Sequence, residues 1–572
     1  MKRLTLATLL ILTSLAAFSE TAAAQREWTI RHTSWSESHE EQFRDFVRTI
    51  GESRCSNIQE CFRGPANPFR ATDPPGMRYW ADCADFAYLL RAYFAWKHDL
   101  PFSHISRLVP SRGSRGDMRQ NNLGNQIAGR RDAIGVSDAP GFIGTMGQHV
   151  STAVLRTNPE WDDPYLFSDH YSPAFDRESI RGGTLIYDPN GHVVVVFKVD
   201  DDGTIHYVDA HPDNSVTRGT FNATFERWRP ELGAGFKNWR PIELVDARRN
   251  YDGTLSGGRI VAPRNGDLPG FDLTQYFGSE TNPGRRWDRA RFAVGGREIG
   301  YTEFVRRSMA DGPLVLDPVA EVRRATRAMC HSARERVESV NAAVQAGIHR
   351  RTPPARLPRN LFSADGDWQS YSTPARDSRL RHGIANLRGQ VNELVARRAE
   401  GDTLIASNGR DLVSTLLLTY EEEAACEIAY RATDGRVVRL TLADIVDRLD
   451  RLSFDPYHCP ELRWGAEGAE LSSCADGSDK RRWYAAQSDL RRVINRQLER
   501  TTNLTLDELE QVRFLIPRLP PTVPEELRSA MARQPIERME YQLAEMPEQV
   551  TLSTTPLSPS PLLSAREIVV GD

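Results

Sequence analysis

Cys83 heads the segment DCADFAYLLRAYFAWK, one residue after Asp82. A thiol at a helix start has its thiolate favoured by free N–H groups and by the helix dipole, which would lower its pKa. A thiolate attacks acyl carbons, but it needs a base and a group that orients the base. The later segment GHVVVVFKVDDDGTIHYVDAHPD contains both residue types. His192 opens one apolar run, and Asp209, His211 and Asp213 close or follow the next. Hairpin register decides which of the three faces His192. A two-residue loop at Asp200-Asp201 selects Asp209, a four-residue loop selects His211, and a turn at Asp202-Gly203 selects Asp213. Each pairing puts the partner on the face of His192, whereas His206 has the opposite parity and should face away. For an oxyanion, the Cys83 N–H is the default donor, and Tyr79, Trp80 and Gln148 are candidate side-chain donors. Each residue also has a plainer reading: Cys83 as a small buried hydrophobe, His192 as a strand-edge residue, Asp209 as a turn cap, and the aromatics as packing.

These side chains are positioned by elements readable in the pattern. Asp82 to Lys97 has apolar residues at helical spacing, with Asp82 as N-cap and Pro101 as a stop. Ser111 to Ala139 reads as a long loop. Gly183–Tyr187, His192–Val199 and Thr204–Asp209 read as strands, the last two joined through DDDG. That turn lacks the alternating ligands and closing Glu of a calcium loop. Residues 247–316 read as an extended connecting segment rich in Gly, Asn, Asp and Pro. From Asp317-Pro318 the expectation is almost wholly helical, with segments near 317–348, 377–397, 411–431, 442–453, 482–499, 505–515 and 524–548. The Ser/Thr/Pro-rich stretch from 549 to 572 is expected to be disordered.

Composition narrows the classes. The 572 residues carry 73 basic and 77 acidic side chains, a net charge of −4, so no electrostatic case exists for nucleic acid as partner. Lys2-Arg3, the apolar run Leu4–Ala17 and Ala22-Ala23-Ala24 read as a signal peptide over residues 1–24, which predicts a soluble exported protein, periplasmic or secreted. No later segment has the apolar length of a membrane span. In an oxidising compartment the seven cysteines should pair, leaving at least one over. Cys55 with Cys61 and Cys459 with Cys474 are neighbours in turn-rich sequence. Cys330 with Cys426 is then a third possible pair, and Cys83 is the natural remainder. Cys330-His331 and His458-Cys459 lack partners at zinc spacing, so no metal site and no cofactor are expected. HExxH, GxSxG, Walker and paired CxxC motifs do not occur.

The segment DCADFAYLLRAYFAWKHDLPF resembles the nucleophile helix of transglutaminase-like proteins, and GHVVVVFKVDDDGTIHYVDAHPD resembles their strand pair bearing His and then Asp. The resemblance, over roughly residues 75–215, implies Cys83 as nucleophile, His192 as base and Asp209 as orienting residue. This triad belongs to the wider papain-like clan. GGTLIYDPNGHVVVV also resembles the His strand of NlpC-type peptidoglycan endopeptidases. The implied fold class is α+β: a papain-like, transglutaminase-like domain over 25–246 with its nucleophile helix on an antiparallel sheet. A helical domain of unknown role over 317–548 follows the 247–316 connection.

The function so implied is a cysteine-dependent amide hydrolase, or an acyl transferase, acting on a peptide or protein amide such as cell-wall peptide. Its rival is a catalytically inactive papain-like binding module, in which the helical half is an interaction domain.

Overall fold

The computed structural model describes residues 25–515 apart from 115–116, 190, 213, 223, 226, 360, 363–365, 407–410 and 494–502. The signal peptide, Asp213, the helix expected near 524–548 and the 549–572 tail lie outside the described residues. The chain is mixed α and β, built on an antiparallel sheet and helices.

In chain order the first half contains helices α1 (Glu37–Glu52), α2 (Ile58–Arg63) and α3 (Cys83–Lys97). Strands β1 (Ser103–Pro110) and β2 (Asn125–Asp132) and helix α4 (Ala139–Gly144) follow. Strands β3 (His170–Tyr171), β4 (Leu185–Asp188), β5 (His192–Val199), β6 (Ile205–Ala210), β7 (Val216–Thr220) and β8 (Gly235–Trp239) complete it. The last six form one sheet in the order β3-β8-β4-β5-β6-β7, every neighbour antiparallel.

Helix α3 is the central rod. Asp82 is extended, and its carboxylate accepts from the Ala84 and Asp85 N–H groups, satisfying two of the donors that a helix start leaves over. Every residue from Cys83 to Trp96 is buried, so this helix is apolar nearly all round rather than amphipathic. It packs on β5 and β6, beside α1. Burying side chains such as Phe86, Leu90 and Phe94 is worth roughly 2–3 kcal/mol each. The buried Arg91 is admitted because Glu40 takes its guanidinium at 2.6 and 2.8 Å and Trp35 stacks on it.

The sheet has two covered faces. Val193, Val195, Val208 and Ala210 join the core beneath α3, whereas Val194, Val196, Ile205 and Tyr207 pack on the opposite face. Helix α6 (Tyr301–Met309), which follows the short α5 (Thr274–Phe277), covers that second face with Val305 and Met309. The stretch 247–316 thus carries short hairpins and helices, some packed against the sheet. The Ser111–Ala139 stretch is not wholly a loop: Asn125–Asp132 pairs with β1, and Arg130 anchors it through Asp169 at 2.6 Å.

In the C-terminal half, α7 (Pro318–Gln345) starts at an Asp317 cap with proline in its first turn, as the sequence predicts. Val322, Met329, Ala333, Val337 and Val340 form its buried stripe. After α8 (Asp367–Tyr371), the long helices α9 (Pro374–Ala399) and α10 (Leu412–Ala424) pack on α7. The helix expected over 411–431 stops at Ala424, and Glu427–Arg431 pairs instead with Val437–Thr441. Ile428, Tyr430 and Leu440 supply its buried face, and Gly435 holds the turn at φ 87°.

Candidate active site

Cys83 is the only free cysteine, and it is buried. The other six form Cys55–Cys61, Cys330–Cys426 and Cys459–Cys474, the connectivity preferred from sequence. As the first residue of α3, Cys83 keeps its own N–H outside the Asp82 cap, which is spent on Ala84 and Asp85. Its sulfur lies 3.8 Å from the Gly191 carbonyl oxygen and beside the Val193 N–H, against the backbone flanking His192.

The sulfur is not poised as expected. Burial pushes the thiol well above its ordinary pKa, and the charge of Asp82 pushes it further up. The dipole argument fails here because the helix start is enclosed and lies among the carboxylates of Asp82, Asp85 and Asp209. Asp85 is itself raised to about 8 by burial and by Asp82, so it holds a proton at neutral pH.

The β5–β6 register differs from the one that would set Asp209 opposite His192. Five residues, Asp200 to Thr204, separate the strands, and the register shifts between Val196 and Lys198, leaving Phe197 as a bulge. Beyond it Val195 faces Val208, and the same register extended along both strands sets His192 opposite His211. The two imidazoles stack accordingly, with centroids 5.5 Å apart and planes 6° from parallel. Asp209 nevertheless reaches His192 diagonally: Oδ2 lies 2.6 Å from Nε2. His206 stays out of this group and bonds Asp200 at 2.6 Å.

The Asp202-Gly203 turn is tied down from outside the hairpin. Arg306 and Arg324 hold the Asp202 carboxylate at 2.9 and 3.1 Å. Gly203 sits at φ 77°, where a Cβ would run into the Arg306 carbonyl, so this position needs glycine.

Thr217 lies directly across from Asp209 in the β6–β7 ladder, and its hydroxyl is 2.5 Å from Asp209 Oδ1. His211 Nε2 lies 3.0 Å from the same hydroxyl, and an Arg376 guanidinium nitrogen lies 3.4 Å from His211 Nδ1. Arginine only donates, so Nδ1 of His211 accepts and Nε2 carries the proton. The chain of donation then runs from Arg376 to His211, to Thr217, to Asp209. Burial, with Arg376 adding to it, depresses His211 to about 4 despite Asp209, so its imidazole is neutral. Burial works against the Asp209 carboxylate, yet His211 and the bond from His192 hold it below the ordinary range. His192 therefore donates through Nε2, leaving Nδ1 as the nitrogen able to take up a proton.

The C-terminal helices close this group. Glu335 of α7 reaches to 3.4 Å from the Thr217 hydroxyl and is flanked by His331 at 3.2 Å and Arg379 at 3.6 Å. Burial opposes its charge, but those two neighbours hold its pKa down. A cavity of about 470 Å³ lies between β7 and α7, with His192, Tyr207, Glu335 and Arg379 in its lining and Cys83 outside it. By strand parity His192 belongs with Val194 on this face, away from α3, and no hydrogen bond joins it to the sulfur.

His192, Asp209 and His211 also bring one potential ligand atom each within 4.8 Å, as do Cys459, Glu461 and Cys474. The second set is tied up as a disulfide. In the first, a metal on His211 Nε2 would move the ring proton to Nδ1, where it would face the Arg376 donor. Metal-bound imidazoles place an acceptor there, so this arrangement suits proton donation better than metal ligation.

Of the oxyanion candidates, Tyr79 gives its hydroxyl to Asp73 at 2.5 Å and stacks on Phe62, a packing role. Trp80 is exposed next to the start of α3, and Gln148 is exposed beside Gly147, which approaches Asp85. Thr217, Glu335, His331, Arg376 and Arg379 were missed. The alternation of β7 could have pointed to Thr217, but nothing in the helical half distinguishes a buried Glu335 from a solvated one. The chain matches no known family, no curated protein and no solved structure.

Proposed function

We propose that this chain is a cysteine-dependent amide hydrolase or acyl transferase of papain-like type, with Cys83 as nucleophile, His192 as base and Asp209 as orienting group. The observation that carries the reading is the seating of the one free thiol. It stands at a helix start, against the backbone on either side of an imidazole whose other nitrogen is held by a buried carboxylate. In the reaction the Cys83 proton passes to His192 Nδ1, and the sulfur bonds to the amide carbonyl carbon. The oxyanion forms near the Cys83 N–H, and the leaving amine takes the proton from His192. Water or a second amine then releases the acyl group. The thiol is protonated and faces the Gly191 carbonyl while His192 faces the groove, so under this reading the start of α3 or the His192 side chain must turn for the two to meet. Three disulfides fit an oxidising compartment, and no helix among the described residues is long and apolar enough to cross a membrane.

A panel of peptide p-nitroanilides and cell-wall muropeptides, followed by intact mass, tests this. A covalent acyl adduct on Cys83, absent from Cys83→Ala and weakened in His192→Ala, is expected. Amide cleavage that survives Cys83→Ala would overturn it. One observation favours the second reading, a binding module with a structural thiol: the cavity opens onto His192 and not onto Cys83. Under that reading no adduct forms on any substrate, and Cys83→Ala leaves ligand binding intact.

A further inference from the structure

The groove between β7 and α7 has a length and a charge that define a ligand. Its α7 wall runs from Ala320 to Glu335, about 22 Å at helical rise, and ends beside His192. Ala328 and Ser332 on one side and Gly219 on the other keep it open.

The charge along it is unequal. Arg323 and Arg327 are both held by the one carboxylate of Glu423, at 2.8 Å each. The next acid, Glu422, comes only within 4.0 Å of Arg323 and is largely exposed. Arg218 pairs with Val208 on the α3 side of the sheet, and its guanidinium is spent on the carbonyls of Ile50, Gly51 and Cys55 rather than on the groove. Arg324 is matched by Asp202 and Glu321. At the Glu335 end of the α7 wall that carboxylate is outnumbered by His331 and Arg379. Two guanidiniums sharing one close carboxylate, beside a floor where Glu335 is outnumbered, leave a surplus of donors facing the cavity.

We propose that this groove binds an extended, acidic peptide segment, whose carboxylates take Arg323 and Arg327 and whose leading end reaches His192. Six extended residues span about 20 Å, the length available. Arg327, with its side chain 65% exposed, can turn from Glu423 to a ligand without unpacking α7. This deepens the functional reading by naming the charge of the substrate, yet occupancy of the groove does not require a reactive Cys83.

The test is fluorescence anisotropy of a fluorescein-labelled hexaglutamate peptide with the full chain at low ionic strength, with hexaglutamine and hexalysine peptides as comparison. Hexaglutamate should bind at least tenfold tighter than either, and salt should weaken it. The double variant Arg323→Gln/Arg327→Gln should lose about tenfold or more in affinity. Glu423→Gln should move the other way and tighten binding several-fold, because it frees two guanidiniums; this sign cannot come from damaged folding. Equal binding of hexaglutamate and hexaglutamine, an unchanged double variant, or weaker binding in Glu423→Gln would each overturn the proposal. Cys83→Ala should bind hexaglutamate like the parent. Binding retained there while no substrate is ever cleaved would sink the enzyme reading and leave the acidic-peptide groove standing.

Discussion

Thr217→Val removes one hydroxyl at nearly constant volume and tests the donation chain directly. The hydroxyl donates to a carboxylate that is 1% exposed, at 2.5 Å, and accepts from His211 at 3.0 Å. A charge-assisted hydrogen bond of this kind is worth about 1.5–3 kcal/mol. Valine would also strand Asp209 Oδ1 and the His211 N–H in a dry site, at about 1–3 kcal/mol for the unpaired groups. These figures overlap rather than add, so the expected loss is about 3–4 kcal/mol, against less than about 1 kcal/mol for Thr217→Ser. Urea unfolding followed by tryptophan fluorescence reads the loss. Nitrogen-15 shifts of labelled histidines read the tautomer, with His211 protonated at Nε2 in the parent. A Thr217→Val loss no larger than that of Thr217→Ser would refute the reasoning, as would a parent His211 protonated at Nδ1.

Three buried imidazoles make the fold acid-sensitive. Burial depresses His104 and His211 to about 4 and His170 to about 3. The unfolded chain takes up these protons near pH 6.5, so stability is full above that value and is lost as pH falls towards 4, by up to about 3 kcal/mol for each residue. His104→Phe, in a site walled by Phe102 and Phe142, should remove its share of the acid loss without weakening the protein at neutral pH; an unchanged acid midpoint would refute this. Iodoacetamide should label Cys83 slowly at neutral pH, and Asp82→Asn, which keeps a good cap while removing a charge, should speed labelling; equal rates would contradict the account of the raised thiol. Removing Cys330–Cys426, which links residues 96 apart, should destabilise by about 4–5 kcal/mol, against about 3 kcal/mol for Cys459–Cys474, 15 apart; urea midpoints in the reverse order would count against loop entropy as the cause.

Local signals were legible in the sequence and distant ones were not. The Asp82 cap, the helically spaced apolar residues of α3, the β5 and β6 strands and the Asp317-Pro318 start of α7 all rest on neighbouring residues, and all appear near the expected positions. Asp434-Gly435 between alternating residues is a hairpin signal that lies just beyond the helix expected over 411–431. The Phe197 bulge has no signature of its own, although it decides which residue lies opposite His192. The thiol's environment depends on how tightly the start of α3 is enclosed, and the acids and arginines of α7 and α9 look like any solvated helix face until their long-range partners are known.

Those long-range partners also fix an order of assembly. Thr217 meets Glu335 across 118 residues, and His211 meets Arg376 across 165. A chain emerging from its N-terminus can pair His192 with Asp209 as soon as the β5–β6 hairpin exists. His211 still lacks the arginine that sets its proton, and the groove still lacks a wall, until α7 and α9 have folded back. This corner is therefore finished late, and a product truncated before α9 would carry Cys83, His192 and Asp209 without the surroundings that organise them.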